Sequence, residues 1–432
     1  MKITVNFVLS LIFASYLLVS ININFGKNKW QDVLESDAWG YYAYLPAVFV
    51  YHDLHFTFYE KIMHGGNFEE RLAYEYRVGN DGKVANKYFC GTAVAIAPFF
   101  IVAHTVSPFF GYKPDGYNRI CLLSVNMAAV FYAILGLFFL SKLLLYYTKN
   151  ELTVITAVIA VAFGSQVFYY SFGEPGMSHV YSFCFVNLFL WKMKSWFARA
   201  VEEDKNANLY YAAFALGMVF LIRPFNMMIF LALPFIAGNV DVLKNKSIEL
   251  FKKRNLLLYS TIIFMMTAGV QVFIYYIQTG SFWIDSYPGE NFTFLKPHFM
   301  DVLFSFKKGL FVYTPLFLLA QVGLFYLYKS NKFMFVTYML FFIVLTYVIS
   351  CWWIWYYGGS FSMRPFIEYF GLFTILLVIL LEHFKQKKVL LFLLFLVVFL
   401  CQIQTYQYRY FVIHWSEMDK TKYLESLKHI FS

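Results

Sequence analysis

The chain has 432 residues, of which 60% are apolar and only 14% are charged. Because soluble domains carry about 25% charged residues, this composition excludes an ordinary soluble protein and predicts an all-α polytopic membrane protein. The net charge of +10 does not by itself predict a nucleic-acid partner, since membrane proteins accumulate lysine and arginine on one side. The five cysteines form no disulfide or metal-ligand pattern.

Residues 3–23 form the first apolar run, which is long enough to cross a bilayer. The run lacks a small-residue cleavage site, so we interpret it as a retained span that begins in the cytoplasm. A long outer loop, about 24–119, follows it. Within this loop, residues 88–110 are apolar but interrupted by Gly91, Pro98 and Pro108, which indicates an interfacial or re-entrant segment.

An acidic patch opens this outer loop, where residues 35–46 read ESDAWGYYAYLP. Aromatic residues continue to Phe58, a pattern typical of a helix that lies in the membrane interface. A carboxylate held there, above all Asp37, would be placed to accept a proton from an acceptor hydroxyl during sugar transfer. The simpler interpretation is a solvated loop aspartate beside an aromatic belt.

Apolar runs separated by charged residues predict about eleven spans. They lie near 3–23, 120–147, 152–172, 179–197, 208–222, 224–239, 256–278, 309–328, 333–350, 366–382 and 389–404. Two of them are short and predict a tight hairpin at Arg223-Pro224, because proline ends helices.

Two polar interruptions in this series are candidate binding groups. The turn 173–179 reads GEPGMSH, and its Glu174 and His179 would bind an acceptor, a phosphate or a metal, or would be merely hydrated. Arg223 is isolated in apolar sequence, where a charge costs at least about 2.5–3.5 kcal/mol. It therefore either faces a polar cavity, where it would bind phosphate, or snorkels to the surface.

The outer loops 279–308 and 351–365 supply the other candidates. Lys307 and Lys308 lie where the positive-inside rule predicts few lysines, so they are phosphate-binding candidates or headgroup anchors.

Residues 352–368 read WWIWYYGGSFSMRPFIE. Their aromatic faces suit sugar rings, Arg364 suits a phosphate, and Glu368 follows at the start of a helix. An interfacial aromatic belt is the alternative interpretation.

The distribution of charge is consistent with a cytoplasmic amino terminus. Lysine and arginine clearly outnumber acidic residues in the predicted inside loops, 142–151, 192–205, 241–254, 329–332 and 382–388. Acidic residues gather on the outer side. Residues 1–404 are predicted to form a single transmembrane catalytic domain, and 405–432 a short outer tail.

The order of these motifs resembles the GT-C superfamily of integral-membrane glycosyltransferases, which includes the protein O-mannosyltransferases and the bacterial lipid A aminoarabinose transferase. The chain looks like bacterial members over residues 1 to about 385. The likeness rests on an acid soon after the first span and on four later motifs. These are GEPxxSH at 173–179, RPxN at 223–226, KGLxxYxP at 308–315 and YGGxFxxRP at 357–365.

The resemblance implies inverting transfer of a sugar from a polyprenyl-phosphate donor to a saccharide, lipid or protein acceptor, on the periplasmic face of a bacterial inner membrane. The family's catalytic carboxylate falls on Asp37, with Glu35 as the alternative. Many members have two adjacent acids there, whereas Ser36 intervenes here.

Fixed positive charge would stabilise the departing lipid phosphate. The candidates, in order of preference, are Arg364, Lys308, Lys307 and Arg223. Tyr41, Glu174, His179 and Glu368 complete the predicted substrate-binding set. A divalent metal is compatible with the resemblance, although no ligand cluster requires one. No other cofactor and no nucleic acid is predicted.

Other functions stay open. A transporter or flippase of lipid-linked saccharides predicts ionisable residues inside the spans and paired broken helices, whereas here only Arg223 and His104 lie deep in apolar sequence. A polysaccharide polymerase or ligase predicts a main outer loop late in the chain, whereas here it comes first. A membrane protein without catalytic activity leaves the loop acids unexplained.

Overall fold

The computed structural model describes residues 4–65, 68–69, 72–80, 83–199 and 206–428. Lys2, part of the predicted loop 192–205 and the end of the predicted tail lie outside the described residues. Within them the α-helices are α1 (Val5–Asn24), α2 (Asp37–Phe49), α3 (Tyr59–Met63), α4 (Gly91–Val106), α5 (Arg119–Leu144), α6 (Glu151–Gly164), α7 (Val167–Phe172), α8 (His179–Ala198), α9 (Ala207–Ile222), α10 (Leu233–Ala237), α11 (Val240–Lys252), α12 (Arg254–Thr279), α13 (Phe299–Phe304), α14 (Leu310–Tyr313), α15 (Pro315–Gln321), α16 (Gly323–Ser330), α17 (Lys332–Ser350), α18 (Phe370–His383), α19 (Lys387–Arg409) and α20 (Lys420–Lys428).

Shorter elements connect these helices. The 3₁₀ segments include Lys29–Val33, Ser107–Phe110, Pro224–Ala232 and Arg364–Tyr369. One antiparallel hairpin, β1 (Arg77–Asn80) and β2 (Lys83–Asn86), lies in the first long loop, with Arg77 opposite Asn86.

Seven helices of the described chain are long and apolar enough to cross a membrane, or up to eight if the bent pair Pro224–Ala237 and Val240–Lys252 counts as one. They are Val5–Asn24, Gly91–Phe110, Arg119–Leu144, Arg254–Thr279, Lys332–Ser350, Arg364–His383 and Lys387–Arg409. The predicted fold class, an all-α polytopic membrane protein, is confirmed. The predicted count of eleven spans is not confirmed.

The count differs partly because predicted spans are interrupted inside the protein. The run 152–172 divides after Gly164 into α6 and α7, and the run 309–328 divides at Thr314 and again at Val322. The two breaks face each other: Gln166 donates to the carbonyl of Tyr313 at 2.6 Å and accepts from the Thr314 hydroxyl at 2.6 Å. Non-helical backbone is tolerated at membrane depth where protein groups satisfy it in this way.

The helix that starts at Arg364 lies at the centre of the bundle. In this helix 89% of the apolar window is buried, against 28% in α1 and α19 and 22% in α12. The peripheral helices leave large apolar side chains exposed, such as Leu18, Met266 and Phe395. The central helix is apolar on all sides, and the peripheral helices expose apolar side chains on their outer faces. This distribution is expected of a helical bundle in a bilayer.

Polar side chains fix the end of α1. Asn24 donates to Asn126 at 2.7 Å and to the carbonyl of Phe172 at 2.8 Å, and Ser20 donates to the same Asn126 oxygen at 3.2 Å. Arg119, the first residue of α5, donates to the Phe25 carbonyl. We call this region the Asn24 end of the bundle; the opposite, Val5 end begins where Val5 N–H bonds Glu151 at 3.1 Å.

The segment 91–110 forms α4 and a 3₁₀ turn, and its length and composition suit a span. Both of its ends nevertheless contact the Asn24 end of the bundle. Gly91 lies against the backbone of Leu221, and the Ser107 hydroxyl lies 3.1 Å from Asn118 at the start of α5. This return fits an interfacial or re-entrant segment, whose path through a membrane stays a prediction.

Helix α2 begins at Asp37, in the segment where the sequence predicted an interfacial helix, and most of it is covered by protein. Every residue from 38 to 47 is buried, and the helix ends at Phe49, well before Phe58. The aromatic residues that predicted an interfacial helix pack inward: the Trp39 ring stands on Phe68 at 5.0 Å. The hairpin, α4 and the loop around residue 117 cover the helix.

Residues after the last span fold back onto the bundle. Helix α19 extends to Arg409, beyond the predicted boundary at 404, and α20 packs beside it. Gln404 donates to the Tyr423 hydroxyl at 2.8 Å, and Gln407 donates to the Ser426 carbonyl at 2.6 Å. The predicted tail is therefore part of the packed Asn24 end over its described residues.

Candidate functional site

Asp37 occupies the amino terminus of α2, where the helix dipole favours a carboxylate. The preceding residue, Ser36, has φ 49° and ψ −126°, a conformation that residues other than glycine rarely adopt. Such strained backbone persists only where the surrounding structure holds it, often at functional sites. The Asp37 side chain is 23% exposed, so a ligand can reach it.

Among the described residues, three side chains contact the Asp37 carboxylate. Oδ1 accepts from the Tyr88 hydroxyl at 2.8 Å and the Tyr74 hydroxyl at 3.1 Å, and Oδ2 lies 3.2 Å from Nη2 of Arg364. The two hydroxyls are themselves 2.5 Å apart. The Tyr74 hydroxyl, the Tyr88 hydroxyl and Oδ1 of Asp37 thus make three mutual contacts, but the two hydroxyls supply only two protons. A proton on Asp37 would supply the third hydrogen bond, so the arrangement also fits a protonated Asp37.

These contacts determine the charge of Asp37. Burial by itself would raise the pKa of this carboxyl, but the Arg364 guanidinium, the Tyr88 hydroxyl, the charge of Arg223 and the Tyr74 hydroxyl together hold the pKa below its usual range. Asp37 is therefore ionised at neutral pH.

Arg364 reaches Asp37 from the start of the central helix. The loop before it has positive φ at Tyr357, Gly358 and Ser362, so both groups of the ion pair follow strained backbone. Beyond Asp37, its contacts are poor. Nη1 lies 3.9 Å from the sulfur of Met177, and the buried Nε has no acceptor among the described residues.

A second charged group stands beside this pair. The Glu368 carboxylate lies 3.0 Å from Nδ1 of His179 and 3.7 Å from Nη1 of Arg223, and the Asn226 amide is 3.5 Å away. Glu368 is 0% and His179 1% exposed, whereas the Arg223 side chain is 23% exposed. Within this group, only the charge of Arg223 is accessible to a ligand. The buried Glu368 carboxylate contacts Arg223 from the protein interior.

The turn 173–178 closes the site over α2. Gly176 allows the contact, because a Cβ there would lie 2.6 Å from the Cβ of Ala38. Glu174 accepts from the Tyr169 hydroxyl at 3.3 Å, and its Oε2 is buried without a partner among the described residues. Burial, opposed by the charge of Arg364, raises the pKa of Glu174 to about 7.

The two predicted lysines differ in position. Lys308 is 2% exposed and donates to the Ser360 carbonyl, and burial lowers the pKa of its amine well below the usual range. Lys307 is half-buried, with its amine 3.6 Å from the centre of the Tyr356 ring. Neither lysine contacts Asp37 directly in this arrangement.

Tyr41 and Glu35 flank Asp37 on the same segment. The Tyr41 ring packs on Tyr88 at 4.8 Å and is 5% exposed. Glu35 is exposed, and its charge acts on Glu174.

The structure therefore brings Asp37, Glu174, Arg223 and Arg364 of the predicted set to one end of the bundle. Glu368 and His179 lie directly behind them. Sequence reasoning missed Tyr74 and Tyr88, since nothing in the local sequence distinguishes them among 35 tyrosines.

Gly40 makes room for Tyr88 and yields a prediction. A Cβ at residue 40 would lie 2.2 Å from Cδ2 of Tyr88. We expect Gly40→Ala to displace the Tyr88 ring, to cost about 1–3 kcal/mol of stability through overpacking, and to reduce any activity that depends on Asp37 by at least about tenfold. Thermal unfolding and turnover measure the two effects.

Gly269→Ala is the matched control, because among the described residues an added Cβ at this helical glycine meets no atom within 4 Å beyond its own stretch of helix. Full activity in Gly40→Ala would contradict the role given to Tyr88.

No group of three or more histidine, cysteine, aspartate or glutamate residues in the described ranges is arranged to hold a metal ion. The charged groups of the site are the carboxyls of Asp37, Glu174 and Glu368 and the guanidinium groups of Arg223 and Arg364.

Fold and site together define the class: a polytopic α-helical membrane protein with a partly exposed carboxylate–arginine site at one end of its bundle. No protein-family model matches the chain, and no curated protein matches it. Among solved structures, the chain is similar to a crystal structure of the Archaeoglobus fulgidus oligosaccharyltransferase in complex with Zn and sulfate. The TM-score is 0.47 at 12% identity, covering 98% of this chain and 55% of that one. The chain thus spans about half the length of that structure.

Proposed function

We propose that the protein is a membrane glycosyltransferase that takes a sugar from a polyprenyl-phosphate donor and uses Asp37 as the general base. The observation that carries the proposal is the pairing of Asp37, 23% exposed, with Arg364 at 3.2 Å, beside a second partly exposed arginine, Arg223. A base next to two phosphate-binding groups, at the end of a bundle with apolar outer faces, suits a donor whose phosphate is attached to a lipid.

The chemistry follows from these roles. The acceptor hydroxyl oxygen attacks the anomeric carbon while its proton passes to Asp37. The bond from that carbon to the phosphate oxygen breaks, and its electron pair leaves with the polyprenyl phosphate. Because the leaving group departs as a stable anion, it requires positive charge and no general acid. Attack opposite the leaving group inverts the anomeric configuration.

Exposure favours a different order of phosphate-binding groups from that suggested by the sequence. Arg364 and Arg223 are 13% and 23% exposed and flank the base, whereas Lys308 is buried and bonded to the Ser360 carbonyl. We therefore assign the phosphate to the two arginines. Lys308, which lies near the charge of Glu174, would interact with the phosphate only at a distance.

We further propose that the site faces the periplasm of a bacterial cell. Predicted inside loops meet at the Val5 end, where Thr148 bonds Glu382 at 2.7 Å and Arg199 pairs with Glu249 at 2.5 Å. The site lies at the opposite, Asn24 end. Basic loops at the Val5 end support a cytoplasmic amino terminus.

A vesicle experiment separates transfer from transport. The purified chain is reconstituted with a fluorescent polyprenyl-phosphate sugar and a membrane extract that supplies acceptors. We expect release of free polyprenyl phosphate and appearance of a labelled acceptor. If the donor only changes leaflet and stays intact, the protein is a flippase and the proposal is wrong.

A further inference from the structure

Arg364 has more hydrogen-bonding capacity than its contacts use. A guanidinium carries five N–H donors in a planar fork, yet among the described residues the carboxylate contact of Arg364 is a single ion pair, Nη2 to Oδ2 of Asp37 at 3.2 Å. Nη1 has only the Met177 sulfur at 3.9 Å, and Nε has no acceptor in the described part of the chain. Buried donors of this kind normally find partners, so their arrangement indicates a further ligand.

The missing ligand is an anion with at least two oxygens. A phosphate accepts two parallel N–H bonds from one guanidinium, which Nε and Nη atoms can supply together. Asp37 meets Arg364 as an ion pair, with Oδ2 3.2 Å from Nη2, and forms no two-bond fork with it among the described residues. A phosphate with two contacts therefore competes well for the same guanidinium, and Arg223 adds a second positive charge beside it.

We propose that Arg364 exchanges partners, from Asp37 before the donor binds to the donor's phosphate afterwards, and that this exchange activates the base. The inference rests on the proposed function, because it requires a lipid-phosphate donor at this site. Arg364 thereby couples donor binding to proton transfer.

The exchange changes the proton affinity of Asp37 in a defined direction. It loses its closest positive neighbour and gains a nearby phosphate charge, and both changes favour the protonated carboxyl. The hydrogen bonds from Tyr88 and Tyr74 remain. The charged or titratable groups that act on Asp37 from the surrounding elements are Arg364, Arg223, Tyr74, Tyr88, Tyr41 and Tyr287.

Because of this coupling, Asp37 becomes a strong base only after the donor has bound. Without the donor, Asp37 is a weak base that is neutralised by Arg364. With the donor in place, the same carboxylate becomes a stronger base at the moment when the acceptor hydroxyl attacks. The acceptor's proton is then held by Asp37 and its two tyrosines until products leave.

The experiment measures the titration of Asp37 with and without a phosphate ligand. The purified full chain is labelled with a carbodiimide and an amine across a pH series, and mass spectrometry of peptides gives the labelling midpoint of each carboxyl. Farnesyl phosphate is the probe, farnesol the control without phosphate, and inorganic phosphate the control without lipid. Asp53, whose carboxylate bonds Thr57 at 2.7 Å, serves as an internal reference.

We expect farnesyl phosphate to raise the Asp37 midpoint by about 1–3 pH units, the size of effect that a neighbouring arginine exerts on an aspartate. Farnesol should have no effect, and the Asp53 midpoint should not move. Arg364→Gln should start with a raised midpoint and respond less. Arg364→Lys retains the positive charge but not the planar set of guanidinium donors. Its Asp37 midpoint should also shift less than that of the wild type.

Binding is followed in the same samples by thermal stabilisation. If farnesyl phosphate binds and the Asp37 midpoint stays constant, the exchange is refuted while the proposed function stands. A full-sized shift in Arg364→Gln would also refute it, since direct repulsion would then be the cause. If neither farnesyl phosphate nor inorganic phosphate binds, the inference and the proposed function both fail.

Discussion

Replacing Asp37 by asparagine is expected to lower the rate of sugar transfer by about 10²–10⁴-fold, the usual contribution of a general base. Asparagine keeps the shape of the side chain and can still accept hydrogen bonds from Tyr74 and Tyr88. It cannot accept the proton of the acceptor hydroxyl, and it ends the ion pair with Arg364. Turnover of a polyprenyl-phosphate sugar by the purified variant measures the loss.

Asp53→Asn is the matched control, because Asp53 lies in the same long loop and its bonds within the described residues are local ones, to His55 and Thr57. It should retain wild-type turnover. An Asp37→Asn protein that folds normally and still turns over at the wild-type rate would eliminate Asp37 as the base.

The pH dependence of the wild-type rate follows from the same contacts. Since Arg364 and the tyrosine hydroxyls outweigh burial and depress the pKa of Asp37, the base stays ionised as the pH falls through neutrality. The acid limb of kcat/KM, which reports the free enzyme, should therefore lie below the usual carboxyl range. Partner exchange by Arg364 places the acid limb of kcat at a higher pH, because kcat reports the donor complex.

Replacing Glu368 by alanine is expected to destabilise the protein by about 3–5 kcal/mol, the typical cost of removing one partner of a buried ion pair. Glu368 is 0% exposed and contacts both His179 and Arg223. Without it, Arg223 loses the group that holds it, so donor affinity should fall as well. Thermal unfolding in detergent and binding of farnesyl phosphate give the two results.

Glu382→Ala provides the comparison, since Glu382 lies on the same central helix at the Val5 end, is only partly buried, and accepts hydrogen bonds from Thr153 and Thr148. Its loss should cost less than about 3 kcal/mol, the net value of two ordinary hydrogen bonds. Equal stability of Glu368→Ala and the wild type would contradict the structural role of Glu368.

Hydropathy identified the all-helical membrane class because a bilayer imposes long apolar runs. It could not give the number of complete spans, because the breaks at Gln166 and Thr314 are stabilised by contacts between segments about 150 residues apart. It also did not reveal that the aromatic side chains of α2 are buried by protein. The rings of Trp39 and Tyr42 instead pack against residues from elsewhere in the long loop.

Charged residues within or beside apolar sequence pointed to part of the candidate site. Asp37, Arg223 and Arg364 stood out because each interrupts or borders apolar sequence, and the structure places them together. Residue type could not distinguish contact with a substrate from support behind it. Glu368 and Lys308 looked like binding groups, yet both are buried, and only three-dimensional packing reveals this. Whether the assigned roles hold stays a prediction.

The central claim is that Arg364 and Arg223 hold a lipid phosphate beside Asp37. A structure of the chain with a non-hydrolysable polyprenyl-phosphonate sugar tests it most directly. The account predicts the phosphonate between the two guanidinium groups, Arg364 separated from Asp37, and the anomeric carbon facing the Asp37 carboxylate. A phosphonate bound away from these arginines, with the Asp37–Arg364 pair intact, would contradict it.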